Sequence, residues 1–305
     1  MTTEEVLELA RRHVVSLEGH IFDVIDLTKP VSPTAAVEMA KVVSKLSPLI
    51  GNLLEINLVE LLNDQDDFGG LGTWKRQDPD FPDAIFEGVV APQPGMEIKA
   101  WFPLATEITA RFRDSQAHFD ANNTTVALIA WLPEEVIYGR PRVLGACVVD
   151  AASVARARDE HYHNPPDYLV VEPEDTTART RNLQQSNTAG YKWQARAEER
   201  SAAEAVVRSW GPSAKSYRPD VEYQARVQDL MSRFRYRLDT NFAKMDRIGH
   251  PEIEAFKARV LGQKIAGLTI SEWSGVLGSK NDDLIQFNLE RHLAIKEVDT
   301  AEIVE

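Results

Sequence analysis

Pro82-Asp83-Ala84-Ile85-Phe86 and Gly95-Met96-Glu97-Ile98-Lys99-Ala100-Trp101-Phe102 are the two stretches from which the fold is read. The second reads as a β-strand. Glu97 and Lys99 are two apart, so they project from one face, while Met96, Ile98 and Ala100 alternate to the other and Trp101 and Phe102 close the run. Ala84-Ile85-Phe86 is a short apolar piece able to pair with this strand as an irregular hairpin through Gly88 to Gly95. That pairing sets Asp83 beside Glu97.

Two carboxylates about 4 Å apart repel by roughly 4 kcal/mol at an effective dielectric near 20. Such a pair raises a pKa or binds a cation. All-oxygen ligands suit Mg²⁺, which takes one or two carboxylates, waters and substrate phosphate. A lysine alongside can hold an attacking water and offset phosphate charge. This is equipment for metal-assisted phosphodiester hydrolysis. The same residue types also suit an edge strand whose charged face is solvated.

Working back along the chain, Ser47-Pro48 is expected to open a helix carrying Leu49, Ile50, Leu53, Leu54, Ile56, Leu58, Val59, Leu61 and Leu62. It is apolar nearly all round and is therefore expected to be buried. Glu55 lies inside it, and a carboxylate there needs a partner or a metal. A lysine partner or an exposed strip would also account for it. Pro82-Asp83, fourteen positions to Glu97, then Glu97-Ile98-Lys99, resembles the signature of the PD-(D/E)XK nuclease superfamily, and within it the type II restriction endonucleases. The resemblance covers about Ser47 to Asp150. It implies that Asp83, Glu97 and the Ile98 carbonyl bind Mg²⁺, that Lys99 orients or helps deprotonate the water, and that Glu55 assists. It further implies double-stranded DNA as substrate, a homodimer, and a cognate DNA methyltransferase in the same system.

The composition is that of a globular chain: 305 residues, 43% hydrophobic and 27% charged. Its single cysteine, Cys147, excludes a disulfide framework and a cysteine-rich zinc site. Cys147 is expected to be a small buried hydrophobe in a reducing, cytoplasmic protein. The acidic start Met1-Thr2-Thr3-Glu4-Glu5 does not read as a signal peptide, and no apolar run is expected to reach the length of a membrane span.

A net charge of −13 argues against nucleic acid, but it is unevenly spread. Residues 176–247 hold fourteen Lys or Arg against eight Asp or Glu, a surplus of +6, which leaves −19 for the remainder. Phosphate binding follows the local patch. Within this region, Arg179, Arg181, Asn182, Gln184, Gln185, Asn187, Tyr191, Lys192, Trp193 and Gln194 include side chains able to contact base edges, with a polar surface segment as the competing reading. Residues 219–247 carry an apolar stripe and are expected to be helical.

Elsewhere, Thr2 with Glu5 forms a capping-box pattern for a first helix that stops at Gly19. Residues 20–27 suit a short strand or another small element, and Ser32-Pro33 opens a second helix. Residues 63–82 read as a polar surface loop, with Lys75 and Arg76 in reach of phosphate or in a solvated turn. Arg111 and Arg113 are further candidates to face phosphate. Residues 125–132 and 143–149 read as central strands and 150–159 as a helix. His161 and His163 read as ordinary loop histidines. Helices are expected after Pro251 and from Ser271, and Asn281-Asp282-Asp283 precedes a final segment with Leu284, Phe287, Leu289 and Leu293.

The expected architecture is α/β: a central mixed β-sheet flanked by helices, restriction-endonuclease-like by the resemblance. Residues 1–305 are read as one domain. Within it, residues 1–63 form an N-terminal helical region, 64–150 the catalytic core, 151–250 a DNA-recognition region and 251–305 a C-terminal helical region. A structure-specific or repair nuclease of the same superfamily, or a non-catalytic α/β scaffold with surface ion pairs, are the alternatives.

Overall fold

Thr2 Oγ1 accepts the Glu5 N–H at 3.3 Å and the Glu5 carboxylate accepts the Thr2 N–H at 2.7 Å. This reciprocal cap starts helix α1 (Thr3–Val15), which buries Val6, Leu7, Ala10 and Val14. The chain turns away at Gly19, φ +86°. Ser32 caps α2 (Pro33–Val42) by accepting the Ala35 N–H. A 3₁₀ turn, Val43–Leu46, then runs straight into α3 (Ser47–Asn63). Ser47 is the first residue of α3 and not its cap, because the 3₁₀ turn already holds Leu46 near helical dihedrals. The structure, a computed structural model, describes residues 1–77, 81–104, 123–163, 170–173, 192–195, 197–212, 214, 221–234, 236–237 and 249–296.

Five strands form the main sheet in the order β1 (Gly72–Arg76), β2 (Ala84–Gly88), β3 (Gly95–Trp101), β4 (Thr124–Pro133) and β5 (Pro141–Asp150). The β1–β2, β2–β3 and β4–β5 pairs are antiparallel and the β3–β4 pair is parallel, so the sheet is mixed. β4 is almost wholly buried, as its continuous apolar run requires. The stretch 20–27 makes only isolated bridges to the β5 side, at Ile21–Arg142 and Leu27–Gly139, and not the strand expected.

β1 lies where a polar loop was expected. Trp74 is its inward residue, packed edge-to-face on Phe68 and at a tilt on Phe86 at centroid distances of 6.2 and 5.5 Å. The Asn63 side chain takes the place of a missing neighbour strand. It accepts the Trp74 N–H at 2.7 Å and donates to the Trp74 carbonyl at 2.8 Å. This satisfies some of an otherwise open sheet edge.

α4 (Ala151–His163) follows β5. Beyond it come β6 (Val170–Pro173), β7 (Lys192–Ala195), α5 (Ala197–Ser209), α6 (Val221–Arg233) and β8 (Tyr236–Arg237), with the three strands in one small sheet. The helix expected over 219–247 is thus α6 followed by a short strand, and 238–248 lie outside the described residues. The chain closes with α7 (Pro251–Leu261), the hairpin β9 (Lys264–Ile265) and β10 (Leu268–Thr269), α8 (Ile270–Leu277) and α9 (Asp282–Leu293). By internal contacts the chain divides into two compact units. One comprises Met1–Ile108, Asp114–Val154 and His250–Glu305; the other comprises Thr109–Arg113 and Ala155–Gly249.

Neighbouring residues of β3 show how the main sheet is covered. A Cβ on Gly51 of α3 would meet the Ala100 Cβ at 3.6 Å, while Trp101 lies 5.9 Å from the Phe256 ring of α7. Ala100 and Trp101 point to opposite faces, so a helix lies on each. The protein is α/β, with a central mixed sheet flanked by helices.

α3 is not buried all round. Ile50, Leu54, Leu58, Val59 and Leu62 face inward, while Leu49 and Ile56 are exposed. The helical segment Pro33–Asn63 is long and apolar enough, by length and composition alone, to cross a membrane, with a mean hydropathy of 1.3 in its best window. This qualifies the expectation that no run reaches such a length; a core helix passes the same test. Leu58 is fully enclosed. Leu58→Ala is expected to lower unfolding free energy by about 3 kcal/mol, read from urea denaturation.

Candidate active site

The β2–β3 ladder runs in register Ile85–Gly95 and Ala84–Met96, so the next pair is Asp83 with Glu97. From that point side chains continue the pairing. The Asp83 N–H donates to Glu97 Oε2 at 3.2 Å, and the Ile98 N–H donates to Asp83 Oδ2 at 2.7 Å. Lys99 Nζ then reaches Asp83 Oδ2 at 3.1 Å and Glu97 Oε1 at 2.6 Å. One ammonium is therefore shared by two carboxylates, one from β3 and one from the residue just before β2.

Local backbone explains the convergence. β3 begins at Gly95, where an added Cβ would stand 2.6 Å from Pro82 Cγ, so only glycine lets the strand pass this close to the residue before Asp83. Gln77 holds the other side. Its N–H donates to the Asp83 carbonyl at 2.7 Å and its side chain to the Pro82 carbonyl at 3.1 Å. The Ile98 amide lies on the strand edge facing Asp83, and in an extended strand a residue's carbonyl lies on the same edge as its amide. Asp83, Glu97 and the Ile98 backbone thus bring oxygen ligands to one edge of β3.

Glu55 of α3 stands next to this group. Its Oε2 accepts from Arg76 Nη2 at 3.1 Å and Nε at 3.4 Å. Burial, then the charge of Asp83, push the Glu55 carboxyl above its ordinary value, against the pull of Arg76 and Lys99. Glu97 is also raised, chiefly by burial, with Lys99 opposing and Asp83 adding. For Lys99, burial disfavours the ammonium, but Glu97 and Asp83 outweigh it and the pKa is raised. Lys99 is held charged by the acids it separates.

Sequence spacing does not pair Arg76 with Glu55, because the two are 21 positions apart. The period-two pattern Thr73-Trp74-Lys75 was the available signal, since it makes 72–76 a strand and sets Arg76 opposite Ala84. Lys75 forms an exposed pair with Glu87 and does not join the site.

Arg179, Arg181, Asn182, Gln184, Gln185, Asn187 and Tyr191, expected to contact DNA, lie outside the described residues, as do Arg111 and Arg113. Lys192, Trp193 and Gln194 are strand residues of β7, between β6 and β8, and do not form a loop. His161 and His163 fall in α4, not in a loop. Cys147 is partly exposed. Burial, with Glu252 adding, pushes its thiol up to about 11. It is protonated at neutral pH and is no nucleophile.

No protein-family model, no curated protein and no solved structure matches this chain. Its chemistry is therefore read from the site. Among the described residues no three His, Cys, Asp or Glu side chains group closely enough to hold an ion by themselves. Asp83, Glu97 and the Ile98 carbonyl fit the smaller demand of Mg²⁺, which keeps several waters and accepts substrate oxygen. The set is all oxygen and offers nothing to a soft metal.

Proposed function

We propose that this chain is a Mg²⁺-dependent deoxyribonuclease of the PD-(D/E)XK type, acting in the cytoplasm as a type II restriction endonuclease. The observation that supports it best is the Lys99 ammonium bonded to both Asp83 and Glu97 across the end of the β2–β3 hairpin. The antiparallel, antiparallel, parallel, antiparallel sheet with helices on both faces suits a restriction-endonuclease-like core.

On this reading Asp83, Glu97 and the Ile98 carbonyl hold Mg²⁺, which would supply charge neutralisation at the scissile phosphate. Lys99, held as an ammonium, orients the water that attacks phosphorus in line and offsets charge on the phosphate, and the proton lost by that water passes to solvent. Glu55 assists from the side. The P–O bond to the leaving 3′-oxygen breaks, giving 5′-phosphate and 3′-hydroxyl ends. A homodimer matches a two-fold symmetric site on double-stranded DNA, and a cognate methyltransferase protects host DNA. The basic stretch 176–247 is the region proposed to read the sequence.

The test is digestion of a plasmid and several genomes by the purified full chain in Mg²⁺ and in EDTA, followed by end sequencing. Discrete fragments in Mg²⁺ alone are expected. A Mg²⁺-dependent smear selects a repair or structure-specific nuclease instead. One observation favours a third reading: Asp83, Glu97 and Glu55 each already have a cationic protein partner, as in a scaffold that stores no chemistry. Intact DNA across all substrates selects that reading.

A further inference from the structure

α3 turns Ile50, Leu54, Leu58 and Leu62 inward, and the opposite side of the helix meets solvent. That outward side is apolar where a surface helix carries polar residues. Leu49 and Ile56 are 51% and 40% exposed, and Leu53 between them is half-buried. Leu49, Leu53, Ile56 and Glu60 step by four, three and four residues, the spacing of a seam along which two helices pack.

Opposite charges close the two ends of this seam. Lys45 lies one turn before Leu49 and Glu60 one turn after Ile56, and both are exposed. Neither has an ion-pair partner among the described residues. Their placement opposes the helix dipole, which favours acids at the N-terminus and bases at the C-terminus. The first turn of α3 holds no acid and its last turn no base; Lys45 precedes the one and Glu60 lies in the other. From Lys45 to Leu49, Ile56 and Glu60 the steps are four, seven and four, so the spacing is the same from either end with the charges exchanged. A second α3 laid antiparallel, about a two-fold axis between Asn52 and Leu53, sets Leu49 against the partner's Ile56 and Lys45 against the partner's Glu60, each contact made twice. Each N-terminus then gains a carboxylate and each C-terminus an ammonium. A parallel pair would instead oppose like charges at both ends.

We propose that the outward face of α3 is the surface on which two copies of this chain pair, antiparallel about a two-fold axis. Such an interface is isologous, with one patch used by both copies. The surface is defined without the nuclease reading, and it supplies the homodimer that reading calls for.

The experiment is analytical ultracentrifugation of the full-length protein over a concentration series at low salt. Wild type is expected to be a dimer, and Leu49→Glu or Ile56→Glu to raise its dissociation constant about a hundredfold. Lys45→Glu and Glu60→Lys are each expected to raise it about tenfold, because two like-charge contacts replace two ion pairs. Lys45→Glu combined with Glu60→Lys in one chain is expected to restore wild-type affinity, which a structural role within one copy would not produce. Added salt should bring the single charge variants back toward wild type. Thermal unfolding identifies any apolar variant that fails to fold, and the charge variants, altered only at exposed positions, then carry the comparison. Unchanged dimer affinity in folded Leu49→Glu and Ile56→Glu, or no restoration in the double charge variant, overturns the proposal. A monomeric wild type overturns it too, and co-sedimentation of that monomer with phosphatidylcholine vesicles would assign the face to a lipid surface. Discrete plasmid fragments from such a monomer leave the nuclease reading standing, whereas a dimer that cuts no DNA removes that reading and leaves this one.

Discussion

Lys99→Ala is expected to lower Mg²⁺-dependent cleavage by about a thousandfold, the scale of losing a charged donor from a water-poor site. The same change is expected to cost about 3 kcal/mol of stability. Removing the ammonium leaves Asp83 and Glu97 close together and largely enclosed, without the cation they share. Their repulsion is then relieved either by protonation of one of them or by an external cation. Mg²⁺ should therefore raise the melting temperature of Lys99→Ala by more than that of wild type. Differential scanning fluorimetry across a Mg²⁺ series decides this. Equal responses would mean that the two carboxylates do not hold metal, whatever else they do.

Glu97→Gln is expected to abolish cleavage to a similar extent, about a thousandfold, while making the folded protein more stable at neutral pH. The reason lies in the protonation of Glu97. Burial, aided by Asp83 and opposed by Lys99, raises its folded pKa above the ordinary 4.5. The folded chain therefore keeps a proton in a pH range where the unfolded chain has lost it. Stability falls as pH rises through that window, and above it the ionised Glu97 is a standing cost. Glutamine mimics the protonated acid and removes this cost. Its advantage should be present at pH 7 and vanish below about pH 4, where the wild-type carboxyl is protonated in both states. Lys99 acts in a different window. Its raised pKa contributes stability that is complete below 10.5 and is lost as pH climbs through the folded value. Chemical denaturation of wild type and Glu97→Gln at acid, neutral and alkaline pH separates the two groups. A less stable Glu97→Gln at pH 7 would show that its hydrogen bonds to Lys99 and Asp83 outweigh the cost of burying it.

Taken together these variants separate a working site from a decorative one. A scaffold built on ion pairs would lose stability in Lys99→Ala and gain nothing from Mg²⁺. A catalytic site carries its acids at a cost to the fold, and the cation relieves that cost.

What the sequence determined by itself was local. Alternation in Gly95-Met96-Glu97-Ile98-Lys99 set two charges on one face because strand side chains repeat every two residues. The capping box at Thr2, the apolar run at 125–132 and Pro251 at the start of α7 were legible for the same reason, since caps and periodicity act within a few residues. Tertiary structure decided the rest. Residues 72–76 are a strand because Trp74 packs against the Phe68 and Phe86 rings, and a stretch rich in Asp and Gly does not announce those partners. α3 is half exposed because only one of its faces meets the sheet, whereas hydropathy counts all sides alike. The Glu55–Arg76 pair joins a helix to an edge strand across 21 positions, a distance at which charge has no sequence signature. Spacing supplied the residues able to meet at Lys99; packing of β1, β2 and α3 around β3 determined which of them do.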